Sequence, residues 1–257
     1  MKKTATMFHA TGVLLFALTI IGMSNVSTKA LSVAYQWSFE SAASPLEEDN
    51  ASQPSLFAYT NWSGSIVRDT SGANSAVYFP GWTETVNRKV NPTASLLSAS
   101  HHSNFNADQT RFSFGADIVA LDPKTLVQSK VMVKADTLNI MQKGLAGSNK
   151  EQWKLSVNTV GKFICSFRGP SASGQISEYK TVSVIYPFGV NRTVRCSLEN
   201  SVITMDVTTG ASTQTYTAAG PTRVVNDSEV SVGKKPGSDY PGDTFAGTLD
   251  NIFITKS

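Results

Sequence analysis

Carboxylates come first, because hydrolysis of a glycosidic bond needs two of them flanking the bond about 5–5.5 Å apart. On a strand that requirement reads as Glu-x-Asp-x-x-Glu or a close variant. The chain carries 19 acidic residues, and none falls in that pattern. Glu47-Glu48-Asp49 is a run between Pro45 and Pro54, which is the mark of a solvated loop. Asp206 stands alone in its segment. His101 and His102 are adjacent, so on an extended backbone they point to opposite faces. A metal or catalytic role would need further partners that the sequence does not supply. Neither a Gly-x-Ser-x-Gly elbow nor a phosphate-binding glycine loop occurs. No catalytic residue is nominated, and the expectation is a protein that is not an enzyme.

Binding chemistry is better represented. Sugar recognition uses aromatic platforms with polar groups beside them. Trp62, Trp82 and Tyr240 fall in loop-like contexts and are the candidate ligand-binding residues. Trp37 and Trp153 alternate with polar residues and are expected in the core. Asn50, Asn61, Asn191 and Asn226 open Asn-x-Ser/Thr sequons, which matter only in a host that glycosylates.

The elements that would position these groups are strands. Val33 to Glu40 places Tyr35, Trp37 and Phe39 on one face. Further strands are expected at 65–69, 75–79, 112–121, 129–134, 138–144, 152–157, 162–168, 181–186, 193–198, 202–207, 212–217 and 229–233, with a closing strand at 245–254. Asn158 to Gly161 and Thr208 to Ala211 read as hairpin turns. Pro80 to Asp108 is poor in strand signal and reads as a long excursion over a sheet. About a dozen short strands with turns at close spacing predict an all-β sandwich or barrel. No internal repeat or composition break divides residues 31–257, so one large domain is expected.

Residues 1–30 read as a secretory signal peptide, helical in its apolar core. Lys2 and Lys3 precede the apolar run Val13 to Met23, and small residues Thr28 and Ala30 mark a cleavage site. The run is shorter than the roughly 20 residues that span a bilayer. A secreted protein cleaved near Ala30, without a transmembrane segment in its mature part, is therefore expected. Three of the 22 basic residues lie in the leader, which holds no acid, so the remainder balances the 19 acidic ones. A nucleic-acid partner would need a dense basic patch, and none is present. Cys165 shares a strand face with Phe163 and Phe167, and Cys196 with Val194 and Leu198. An even pair of core-facing cysteines in an exported chain favours a disulfide, with two buried thiols as the alternative.

The order of strand motifs resembles the laminin-G-like, concanavalin A-like lectin/glucanase jelly rolls of exported, bacterial-type proteins. Tyr35-Gln36-Trp37-Ser38-Phe39-Glu40 resembles the family's opening strand, and Ser75-Ala76-Val77-Tyr78-Phe79-Pro80-Gly81 the strand after its variable loop. Phe112-Ser113-Phe114, Ile140-Met141-Gln142-Lys143-Gly144 and the hairpin at Trp153 to Cys165 continue the match. Ser231-Val232-Gly233 and Phe245-x-Gly-x-Leu-Asp250-x-Ile-x-Ile resemble its ending. The resemblance implies two antiparallel sheets of six or so strands each, with the last strand beside the first. It also implies a structural calcium site where those strands meet, with Glu40 and Asp250 as ligands. With no paired-carboxylate pattern, the function expected is a non-catalytic lectin-like module for a carbohydrate or surface glycoconjugate. The alternatives are a structural or adhesive protein with a protein partner, and a divergent glycoside hydrolase.

Overall fold

The structure is a computed structural model that describes residues 33–39, 57–61, 67–69, 76–80, 95–108, 111–121, 137–147, 149–237 and 243–257. The leader, the expected strand at 129–134, Glu40, Trp62, Trp82 and Tyr240 all lie outside the described residues.

Among the described residues the chain forms strands β1 (Val33–Trp37), β2 (Phe57–Asn61), β3 (Val67–Asp69), β4 (Ala76–Pro80), β5 (Ser95–Ala99) and β6 (Ala107–Asp108). The series continues with β7 (Phe112–Leu121), β8 (Thr137–Lys143), β9 (Gln152–Asn158), β10 (Lys162–Pro170), β11 (Ile176–Ile185) and β12 (Arg192–Glu199). It closes with β13 (Val202–Thr209), β14 (Ser212–Ala219), β15 (Arg223–Val224), β16 (Val230–Val232) and β17 (Ala246–Lys256). A first antiparallel sheet runs β14-β13-β12-β7-β17-β4-β3, with β1 also on β17. A second runs β11-β10-β9-β8-β16-β5-β2, and β15 with β6 makes a small third. Eight and seven strands thus replace the six or so expected in each sheet.

Four strands, β2, β5, β6 and β15, arise where none was expected. β5 and the 3-10 turn Ser103–Phe105 fall inside the supposed excursion, and β2 precedes it. In β5 both Leu96 and Leu97 are buried, so the period-2 signal that marks a half-exposed strand is missing.

The closing strand sits where the sequence suggested. β7 pairs along one side of β17. On its other side β4 takes residues 246–249 and β1 takes 252–255, with Trp37 opposite Ile252. Between the two sheets Phe114 packs on Trp153 at 4.2 Å and on Phe167 at 5.7 Å between ring centroids. Trp37 and Trp153 are fully buried, as their alternation implies. Cys165 of β10 and Cys196 of β12 form a disulfide across the sheets, with Cα atoms 5.8 Å apart. Gly233 follows β16 with φ +83°, and a Cβ there would lie 2.1 Å from the Phe79 ring, so only glycine fits.

Lys143 is a buried cation at the end of β8. Its Nζ donates to Asn106 Oδ1 at 2.9 Å, to Asn226 Oδ1 at 2.9 Å and to the Asn226 carbonyl. Burial lowers its pKa from the ordinary 10.5 to about 8, against the opposing pull of Asp227. The bonds tie the start of the small third sheet to the loop before β16. They also engage the Asn226 side chain, which donates to the Glu151 carbonyl at 3.1 Å as well.

Candidate functional site

The outer face of the second sheet gathers polar side chains in register. On β9, Trp153, Leu155 and Val157 face the core, so Gln152, Lys154 and Ser156 face out. Pairing then carries one row across six strands: Ser98 of β5, Ser231 of β16, Gln142 of β8, Lys154 of β9, Ser166 of β10 and Lys180 of β11. At about 4.8 Å per strand the row is roughly 24 Å long. A parallel row beside it holds Asn139, Ser156, Ile164 and Val182, and another holds Gln152, Arg168 and Glu178.

One irregularity builds this face. Asn139 and Gln142 are three residues apart, which on a regular strand puts them on opposite faces. The register of β8 against β9 shifts between Asn139 and Met141. The extra residue, Ile140, goes into the core, and both amides emerge on the same side.

These groups are buried and incompletely bonded. Asn139 and Ser231 are 0% exposed, and Gln142 is 1%. Gln142 donates from Nε2 to the Gly144 carbonyl at 2.9 Å, as Gln152 does at 3.0 Å. Among the described residues Gln142 Oε1, both polar atoms of Asn139 and Ser231 Oγ have no hydrogen-bond partner. Each such atom costs about 1–3 kcal/mol of desolvation. Ser113 Oγ and Thr255 Oγ1, opposite each other on the first sheet, also lack partners. They are lone hydroxyls, whereas the second sheet brings together two amides and a hydroxyl beside a cation. Lys154 is that cation. Burial lowers its pKa, and Lys235 lowers it further, while Asp243 and Glu178 pull it up. Lys235 and Asp243 themselves pair at 3.4 Å.

The outer face of the first sheet holds Asp250. It is buried and lies directly opposite Asp117 of β7. The register of β17 shifts between Asp250 and Phe253, and Asn251 takes φ +43° there. This bulge turns Asp250 and Asn251 away from the core while Leu249 and Ile252 stay inside it. Asn251 Nδ2 donates to Asp117 Oδ2 at 2.7 Å and to Asp250 Oδ2 at 3.3 Å. Asn251 N donates to Asp250 Oδ1 at 2.7 Å, and Thr193 Oγ1 donates to Asp117 Oδ1 at 2.5 Å. Sequence reasoning named Asp250 and missed Asp117. The pair is separated by 133 residues, and only the pairing of β7 with β17 joins them. Phe253, two residues on from Asn251, lies over Gly115 and under the Arg195 guanidinium, 5.0 Å from the ring centroid.

The histidines are structural in their contacts. His102 Nδ1 accepts from Asn104 N at 3.2 Å and meets the Tyr35 hydroxyl at 3.0 Å, while His101 Nε2 lies 3.7 Å from Asp227. Among the described residues no group of three or more His, Cys, Asp and Glu is placed to hold a metal.

No family model and no curated protein matches the chain. Solved structures do. The botulinum neurotoxin serotype D binding domain aligns with a TM-score of 0.54 at 9% identity, over 88% of this chain and 48% of that one. A Trypanosoma rangeli sialidase in complex with 2,3-difluorosialic acid gives 0.51 at 12%, over 87% and 30%. The enzymatically active domain of bacteriophage CBA120 tailspike protein 2 gives 0.50 at 13%, over 78% and 29%. The fold is an antiparallel jelly-roll sandwich. At these identities the likeness carries the fold alone, and the chain spans less than half the length of each of these structures. Among the described residues no helix is long and apolar enough to cross a membrane.

Proposed function

We propose that the protein is an exported, non-catalytic binding module that recognises a carbohydrate on the outer face of its second sheet. The observation that carries this reading is the set of buried polar atoms on Asn139, Gln142 and Ser231 that have no partner among the described residues. Native proteins pair such atoms unless something else is meant to meet them. Asn139 offers a donor and an acceptor, Gln142 an acceptor and Ser231 both. A sugar hydroxyl, donor and acceptor at once, answers all three. Lys154, in the same row as Gln142, adds a cation that suits a carboxylate-bearing sugar. Trp62, Trp82 and Tyr240 are the proposed aromatic contacts. The leader and the disulfide support export, and the strand motifs support membership of the laminin-G-like group.

Binding is preferred to catalysis because the facing acids Asp117 and Asp250 have their oxygens engaged by Thr193 and Asn251. The same pair extends the calcium proposal. Calcium takes six to eight oxygen ligands. Asp117 and Asp250 supply two carboxylates, and the Asn251 amide between them would add an oxygen if flipped. Calcium there would pin β17 to β7, with Glu40 as a further ligand. A thermal midpoint that rises with calcium and falls with a chelator, together with metal found by elemental analysis, supports this. A midpoint indifferent to both removes the ion from the account. The carbohydrate reading is tested on a glycan array: defined saccharides should bind, and Asn139→Leu and Gln142→Leu should abolish binding without unfolding the protein.

A further inference from the structure

Among the described residues β11 ends the second sheet, with β10 as its hydrogen-bonded neighbour. It is ten residues long and carries exposed Val182, Val184 and Ile185. Val160 of the β9–β10 turn and Val190 of the following loop are exposed too, and the Tyr186 N–H bonded to the Gly161 carbonyl at 3.1 Å holds that turn at the end of β11. Among the described residues, five of the seven exposed large apolar ones thus sit in or beside β11. A long edge of this kind is a template for pairing with another strand.

The outward side chains of β11 say which strand. Tyr179, Thr181 and Ser183 turn inward, and Ile176, Glu178, Lys180 and Val182 turn outward, with Glu178, Lys180 and Val182 exposed. In an antiparallel pair of two identical strands with its twofold at Tyr179, Glu178 lies opposite Lys180 of the second copy and Lys180 opposite its Glu178. Ile176 lies opposite Val182 at both ends. The set reads the same in both directions: apolar, acid, base, apolar. Moving the axis by one residue to Lys180 sets Lys180 against itself, and moving it to Thr181 sets Lys180 against Val182, so the charges choose the register. Opposite charges facing each other across a pair are favourable and like charges are unfavourable. We infer that β11 is a homodimer interface, in which two copies join antiparallel through this edge to continue the second sheet. The interface is isologous, as a twofold requires.

The test is sedimentation of the purified protein with charge variants. The wild type should dimerise, more weakly as salt rises. Glu178→Lys alone and Lys180→Glu alone should each weaken dimerisation about tenfold or more, since both facing pairs become repulsive. Equimolar mixing of the two single variants should restore a dimer, because each then meets its opposite. The double variant Glu178→Lys/Lys180→Glu should dimerise like the wild type. Circular dichroism establishes that each variant is folded, as expected for exposed positions. A wild type that stays monomeric at its highest soluble concentration overturns the inference. So does a dimer indifferent to the single changes, or single variants that fail to pair on mixing.

Discussion

Replacing Asn139 with leucine should make the ligand-free protein more stable. Asn139 is 0% exposed, and neither its Oδ1 nor its Nδ2 has a partner among the described residues. Leucine has nearly the same shape and no polar atoms to desolvate. Its neighbours across the sheet are Ser156, then Ile164 and Val182, so part of the new surface is already apolar. Removing the unmet amide returns about 1–3 kcal/mol. At roughly 2–4 °C per kcal/mol for a domain of this size, the thermal midpoint should rise by about 2–12 °C. The assay is thermal and urea unfolding of wild type and variant without saccharide, with glycan binding measured alongside. Gain of stability with loss of binding is the signature of a site whose polar groups serve a ligand. A variant that loses stability would refute the reasoning, because it would mean that the folded protein itself satisfies Asn139.

The remaining predictions concern the frame around that face. Replacing Cys165 and Cys196 by alanine should cost about 3–4 kcal/mol in the chain-entropy account of a cross-link with sequence separation 31, read as a lower urea midpoint. Lys143→Met should cost about 1–3 kcal/mol, because the Asn226 carbonyl is orphaned while Asn106 Oδ1 and Asn226 Oδ1 keep the Asn226 and Ser228 amides. The folded pKa of Lys143 is about 8, against 10.5 for the unfolded chain. Between those values the unfolded state binds more protons, so this residue makes stability rise with pH across that window. The rise should be present in the wild type and missing from Lys143→Met, measured by urea titration at several pH values.

Much of the sandwich is legible because its strands alternate. β12 buries Val194, Cys196 and Leu198 and turns Thr193 and Arg195 outward, and the closing strand runs beside the first as the family resemblance implied. β5 and β2 are not legible in the same way: Leu96 and Leu97 are adjacent and both buried. The candidate site was hidden by a different cause. Period-2 reasoning separates Asn139 from Gln142, and only the register shift at Ile140 reunites them. Ser231 joins them through the pairing of β16 with β8, and Asp117 joins Asp250 through that of β7 with β17. Long-range register and bulges decide both clusters, and neither is written in local composition. The resemblance to lectin-like jelly rolls pointed at Asp250 and Glu40, and sugar-binding chemistry at loop aromatics outside the described residues, while the polar rows of the second sheet emerged from the fold.

Whether this outer face binds saccharide is decided by a glycan array of the wild type beside Gln142→Leu and Ser231→Ala. The account predicts a defined set of bound glycans for the wild type and their loss in both variants, each still cooperatively folded. A silent array, or variants that bind the same glycans as the wild type, would contradict it.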